Sequence, residues 1–193
     1  VKVNSVLTVD KAAALYGGSV SISAQLTLED KSPATNVPLR IEGKSANDAT
    51  WRILGAATTG VDGKFTTPIL LGKTTAIRVF SEGTWERAES ISNETSVLID
   101  RTVSFSAPGT VKATAPLSIE GVVRPRAAGA NVSLMKFSAG AWKKVASAIT
   151  NDQGAFVFAI EKQPRQIARY QLIVESDQNW RQIAAPEFSI IIR

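Results

Sequence analysis

At 193 residues, with 44% hydrophobic and 20% charged side chains and a net charge of +5, the chain has a globular composition, not a disordered or collagen-like one. It holds neither cysteine nor histidine. Disulfides, thiol nucleophiles, Ser-His-Asp systems in their usual form and zinc held by thiolate or imidazole are therefore excluded.

The first half reads as seven strands, near residues 3–9, 19–28, 36–43, 50–58, 63–70, 74–81 and 90–99. "VSISAQL", "VPLRI" and "IRVF" alternate apolar and polar residues, the period of a half-buried strand. Turn residues recur between them at Gly17-Gly18, Lys31-Ser32-Pro33, Asp48, Asp62-Gly63, Gly72, Glu82-Gly83 and Asn93, a spacing that predicts an all-β sandwich. The second half gives strands near 102–106, 115–124, 131–138, 141–149, 154–160, 168–176 and 186–192. "EKQPRQIARY" is interrupted by Pro164, and no stretch carries a 3.6-residue apolar stripe, so helix is expected to be minimal. No apolar run approaches the roughly 18 to 20 residues that span a bilayer, so no membrane insertion of this segment is expected.

The halves repeat one another. "TWRILGAATTGVDGKF" (50–65) lies over "AWKKVASAITNDQGAF" (141–156), matching Trp51 with Trp142, Thr59 with Thr150, Gly63 with Gly154 and Phe65 with Phe156. "NVPLRIEG" lies over "NVSLMKFS", pairing Leu39 with Leu134, and "AIRVFSEGTWERA" lies over "QLIVESDQNWRQI", pairing Val79 with Val174. Two copies of one domain are expected, residues 1–100 and 101–193. The junction "TSVLIDRTVSFSA" carries no flexible Gly/Ser tether, which predicts domains placed end to end. The Trp-to-Phe phrase itself reads as a hairpin turning at Asp62-Gly63, with Trp51 and Phe65 as cross-strand or core partners. Phe65, Phe156, Ile22, Ile119, Leu39, Leu134, Val79 and Val174 are expected in the cores.

The runs "GGSVSISAQLT", "VPLRIEG", "TWRILGAATTGVDGKFTTPI" and "TTAIRVFSEGTWERAESISNETSVLI" resemble the bacterial immunoglobulin-like domains repeated in exported and surface proteins, particularly of Gram-positive bacteria. The likeness covers nearly all of both halves. It departs in the second copy, where Gln153 replaces Asp62 and Asp177-Gln178-Asn179 replace Glu82-Gly83-Thr84. The resemblance implies two tandem immunoglobulin-like β-sandwich domains of about seven strands each, acting as a spacer or adhesive module outside the cell or at its surface. It carries no catalytic motif. The chain opens on Val1, which suggests a mature product or an excised fragment, with any signal peptide outside these residues.

Candidate chemistry is sparse. Trp85 and Trp180 each follow a turn and are each followed by an arginine, Arg87 and Arg181. These four could stack on sugar rings or anchor a partner, or each Trp could cover the open end of its own sandwich. Residues 1–100 have a net charge of −1 and residues 101–193 one of +6. Arg124, Arg126, Lys143, Lys144, Lys162, Arg165 and Arg169 dominate the basic half, either as a solvated face or as an attraction for an anionic polymer. No aromatics interleave with them as a nucleic-acid platform requires, so nucleic acid is not expected as a partner. The carboxylates fall in no calcium-loop spacing, and no metal, cofactor or catalytic residue is expected. Expected partners are other domains of the same protein and, outside it, a cell-envelope glycopolymer or a host surface. The main reading is a non-catalytic spacer or adhesive segment. The alternative is a module binding carbohydrate or anionic glycopolymer through the paired Trp and the basic second domain.

Overall fold

The computed structural model describes residues 1–161 and 163–193, and among them every regular element is a strand. The first half of the sequence forms β1 (Val3–Val9), β2 (Ala13–Leu15), β3 (Ser19–Leu28), β4 (Pro38–Ser45), β5 (Arg52–Thr58), β6 (Lys64–Leu70), β7 (Thr75–Ser81), β8 (Ser90–Ile91) and β9 (Thr95–Asp100). The second half forms β10 (Thr102–Ser106), β11 (Thr110–Val111), β12 (Leu117–Arg124), β13 (Asn131–Ser138), β14 (Ala141–Ile149), β15 (Ala155–Ile160), β16 (Gln166–Val174), β17 (Ile183–Ala184) and β18 (Phe188–Ile192). Two compact units result. One holds Val1–Ile99 with Gln178–Trp180, the other Asp100–Asp177 with Arg181–Arg193.

Both halves follow one topology. A three-stranded sheet, β1-β3-β6 or β10-β12-β15, faces a larger one ordered β2-β9-β7-β4-β5 or β11-β18-β16-β13-β14, with β8 and β17 added to β7 and β16. This is the immunoglobulin arrangement in which the strand after the fourth stays with the second sheet. Alternation fills the space between the sheets. In β3, Val20, Ile22, Ala24 and Leu26 point inward and are buried, and Leu117, Ile119 and Val123 do the same in β12. The expected core residues Phe65, Phe156, Ile22, Ile119, Leu39, Leu134, Val79 and Val174 are all buried.

The expected hairpin is not one. β5 pairs with β4 in the larger sheet and β6 pairs with β3 in the smaller, so residues 59–63 carry the chain between sheets. Trp51 and Phe65 are not partners: Phe65 is in the core, whereas Trp51 is half-buried beneath the Arg78 guanidinium, 4.1 Å from its ring centre. What the phrase builds is a latch. The buried Thr59 hydroxyl donates to the Ala34 carbonyl at 2.6 Å and accepts the Val37 amide at 2.9 Å. Thr150 repeats this with Ala127 and Ala130, at 2.7 and 3.0 Å. Gly63 and Gly154 accept the Leu26 and Val123 amides at 2.9 and 2.8 Å, so each crossing is tied to the end of the strand beneath it. Asp62 closes the first turn by accepting the Lys64 amide. Where Gln153 replaces it, Asn151 does the closing instead, taking the Gln153 and Ala155 amides on one oxygen.

These bonds equate Val37 with Ala130, and hence Leu39 with Val132 and Ile41 with Leu134. A register shift after Ile41 and another after Leu134 agree. The sequence match Leu39–Leu134 is thus displaced by two residues. Across the sheet Ile41 faces Val79 and Leu134 faces Leu172, so Val79 corresponds to Leu172 rather than Val174.

Two further expectations change. The strand placed at 90–99 is two pieces, because the Ser92 hydroxyl takes the Val79 amide and Asn93 takes the Leu7 amide, diverting the backbone between them. β2 and β11 lie on the edge of the larger sheet, where the chain leaves one sheet for the other. They are too short to show an alternation.

The second core contains one misfit. Tyr170 is completely buried, its hydroxyl has no hydrogen-bond partner, and burial raises its pKa. An orphaned buried hydroxyl costs about 1–3 kcal/mol. Tyr170→Phe is therefore expected to leave the second sandwich as stable or more stable in urea unfolding. A clear loss would mean the hydroxyl is bonded.

Candidate functional site

Loops of equal length, residues 82–89 and 175–182, follow β7 and β16 and carry the Trp and Arg candidates. In the first, Thr84 and Arg87 close a turn, with the Thr84 amide reaching the Arg87 carbonyl at 2.7 Å and the Arg87 amide reaching the Thr84 hydroxyl at 3.2 Å. Trp85 sits at its tip and is 92% exposed. Arg87 is half-buried and lines a cavity of about 540 Å³ with Leu28, Pro33, Ala34, Val37 and Glu86. Its Nε has no hydrogen-bond partner. Thr35, Glu86, Arg87 and the Val1 amino group, which donates to the Glu86 carbonyl at 2.8 Å, are the polar members of an otherwise apolar lining.

Trp180 is placed quite differently. It belongs to the first unit, packs against that unit's core and donates its indole N–H to the Gly72 carbonyl at 3.1 Å. Its neighbour Asn179 accepts the Thr74 amide at 2.8 Å. Thr74 precedes the start of β7, whereas Trp85 lies beyond its end, and a strand of that length separates the two by about 20 Å. Trp85 and Trp180 are therefore neither equivalent nor a paired platform. Arg181 lies in the second unit and grips Asp100 through Nε and Nη2 at 2.7 and 2.6 Å; hydrogen bonding to Asp100 raises its pKa and keeps the charge in place. That guanidinium is already engaged. Trp85 and Arg87 share one loop and one unit, whereas the adjacent Trp180 and Arg181 fall to different units.

This placement separates the two tryptophans experimentally. Trp85→Ala should change stability by no more than about 0.5 kcal/mol, as for other exposed positions. Trp180→Ala should cost more, because it removes a hydrogen bond and core contacts. Equal small losses in urea unfolding would contradict the seat assigned to Trp180.

Each of the other two tryptophans has an arginine over its ring. Arg78 covers Trp51 while its Nε bonds Glu42 at 2.8 Å, and Arg40 stacks 4.6 Å from the Phe80 centre. In the second unit Arg169 lies 4.6 Å from the Phe137 centre and 5.8 Å from that of Trp142, and pairs with Glu187 at 2.6 Å. Each such cation–aromatic stack occupies one face of its ring. Arg169 is thereby withdrawn from the expected basic face, and Lys144 is 3.9 Å from Glu175. Arg124, Arg126, Lys143 and Arg165 are exposed, while Lys162 lies outside the described residues.

Sequence reasoning overlooked Arg101, which is 5% exposed, bonds the Glu175 carbonyl at 3.3 Å and pairs with Asp177 within the second unit. Nothing in a lone Arg at a strand start signals burial. Among the carboxylates, Asp48 has its pKa lowered by the Ser45 amide it accepts and by the nearby Arg52 and Lys73. Among the described residues no cluster of three or more acidic side chains could hold a metal ion.

The sequence matches no family model and no curated protein. Solved structures do match. One, a tetra-tandem repeat in the extending region of a large adhesion protein, is 13% identical with a TM-score of 0.50, over 99% of this chain. This chain spans about half (49%) of that one. The D0-D1 domain of intimin (15% identical, TM-score 0.35, 97% of this chain and 99% of that one) and a marsupial T cell receptor (11%, 0.43, 97% and 72%) also match. Topology and likeness agree on one statement: the chain folds as a tandem of immunoglobulin-like β-sandwiches.

Proposed function

We propose that this chain is a non-catalytic structural segment of a bacterial surface or exported protein, a spacer or adhesive module. The observation carrying this reading is the likeness, over nearly the whole chain, to repeats from the extending region of an adhesion protein. It is supported by the two separate cores and by aromatic faces already covered by arginine. In the full-length protein, replacing these residues with an unrelated sandwich pair of equal length should preserve surface display and adhesion if the segment acts by holding other domains out. Loss of adhesion with display intact would place a ligand contact within the segment.

A glycan-binding reading rests on Trp85 and on the cavity beside Arg87. Titration with cell-wall glycopolymer decides it: saturable binding lost in Trp85→Ala favours that reading, and absence of binding removes it. Trp180→Ala is the wrong probe, because that side chain is structural.

A further inference from the structure

The loops after β7 and β16 are built alike. Phe80 and Ser81 pair with Ile91 and Ser90, and Ile173 and Val174 pair with Ala184 and Ile183. Ser81 therefore corresponds to Val174, and Trp85, Glu86 and Arg87 correspond to Gln178, Asn179 and Trp180. Each loop lies along the chain that enters its own sandwich. The Val1 nitrogen donates to the Glu86 carbonyl at 2.8 Å and the Ala88 amide to the Val1 carbonyl at 3.0 Å, while Asp100 bridges in parallel to Arg181. Leu26 and Val123 hold the same latch position, so their partners Ser5 and Val103 correspond. Val1 is then the counterpart of Ile99, a residue of β9.

In the second copy the tip of this loop does not stay with its own sandwich. Gln178–Trp180 belong to the first unit, where the Trp180 indole donates to the Gly72 carbonyl and the Asn179 carbonyl accepts the Thr74 amide. Gln178 stands at a groove of about 420 Å³ lined by Lys44, Trp51, Ala76, Glu94 and Ser96 of that unit. The first loop holds its tip out in the same way. Trp85 is 92% exposed, and the buried Arg87 Nε has no hydrogen-bond partner. An indole beside an arginine is the composition of an interface anchor.

We infer that Trp85–Arg87 is a docking tip, and that its seat is an immunoglobulin-like sandwich lying immediately ahead of Val1 in the same protein. The chain's own repetition identifies the occupant, because the corresponding tip, Gln178–Trp180, is held by the preceding sandwich. Trp85 takes the place of Gln178, where its indole fills a groove that an amide leaves partly open. Arg87 takes the place of Trp180 and keeps an N–H donor at that position. This inference does not rest on the spacer reading, since an adhesive array would carry the same joint.

Fluorine NMR of the full-length protein labelled with fluorotryptophan tests it, with the Trp85 signal assigned by Trp85→Phe. In residues 1–193 alone that signal should show the full solvent isotope shift between light and heavy water. In the full-length protein it should lose most of that shift. Deleting about 100 residues ahead of Val1, the length of one such sandwich, should restore it while the other tryptophan signals keep their positions. A Trp85 signal equally exposed in both proteins, or one whose protection survives the deletion, overturns the inference. A signal that stays exposed until cell-wall glycopolymer is added also overturns it, in favour of the glycan reading.

Discussion

Gly63→Ala is expected to destabilise the first sandwich by about 2–5 kcal/mol, and Gly154→Ala to do the same to the second. Both glycines have positive φ, 71° and 69°, where a side chain costs about 1–2 kcal/mol. The larger cost is steric. A Cβ on either would lie 2.4 Å from a backbone carbonyl, that of Leu26 or Val123. That oxygen belongs to the residue whose own amide is bonded to the glycine, so it cannot withdraw without straining the latch. Forcing added atoms into a filled site costs about 1–3 kcal/mol. Gly17 supplies the control: its φ is 82°, yet nothing lies within 4 Å of its Cβ position. Gly17→Ala should cost only about 1–2 kcal/mol. Urea unfolding followed by an amide probe in each sandwich measures both. If Gly63→Ala costs no more than Gly17→Ala, the contact with Leu26 is misplaced.

Phe65→Ala and Phe156→Ala are each expected to cost about 3–5 kcal/mol, the range for a core aromatic, and Phe156 the more. Phe65 is 8% exposed and Phe156 is 3%. Phe65 pairs across the strands with Ala24, whereas Phe156 pairs with Gly121. A Cβ on Gly121 would meet the Phe156 ring at 2.5 Å, so the ring occupies the space that the missing side chain leaves. It also meets Phe158 edge-on at 5.6 Å between ring centres. Removing it opens a hole floored by glycine, which has no side chain to collapse into it. A loss under about 1 kcal/mol at either position would mean that the register of that strand is wrong.

The fold was legible because alternation is local. Val20, Ile22 and Leu26 declare their face two residues at a time, and the repeated Thr, Gly and Phe of the latch recur at constant spacing. Pairing partners are another matter. Asp62-Gly63 satisfies its own turn whether the chain returns beside β5 or crosses to the other sheet, so the local signal could not tell a hairpin from a crossing. The two-residue displacement between β4 and β13 was hidden for a related reason. Residues two apart share a face, and Leu39 and Leu134 look alike from either register. The candidate site was least legible. Trp85 and Trp180 are the same letter after similar turns, and only tertiary contacts make one a bare tip and the other a seated plug. The buried state of Arg101 and the cavity beside Arg87 depend on loops that meet only once folded.

Two sandwiches of one pattern, made in succession on a ribosome, risk a strand of one completing the other, a failure typical of repeated domains. The register shifts make Gly43 of β4 the counterpart of Lys136 of β13. A Cβ at Gly43 would lie 2.4 Å from Leu54 and 2.9 Å from Thr75, while Lys136 spans out to Gln163 beside the Tyr170 ring. β13 in the place of β4 would drive a lysine stem into Leu54. β4 in the place of β13 would put a glycine where the Lys136 ammonium lies 6.0 Å from the tyrosine ring centre. The copies have diverged at a central strand, and that divergence disfavours the exchange of β4 and β13 between the two sandwiches.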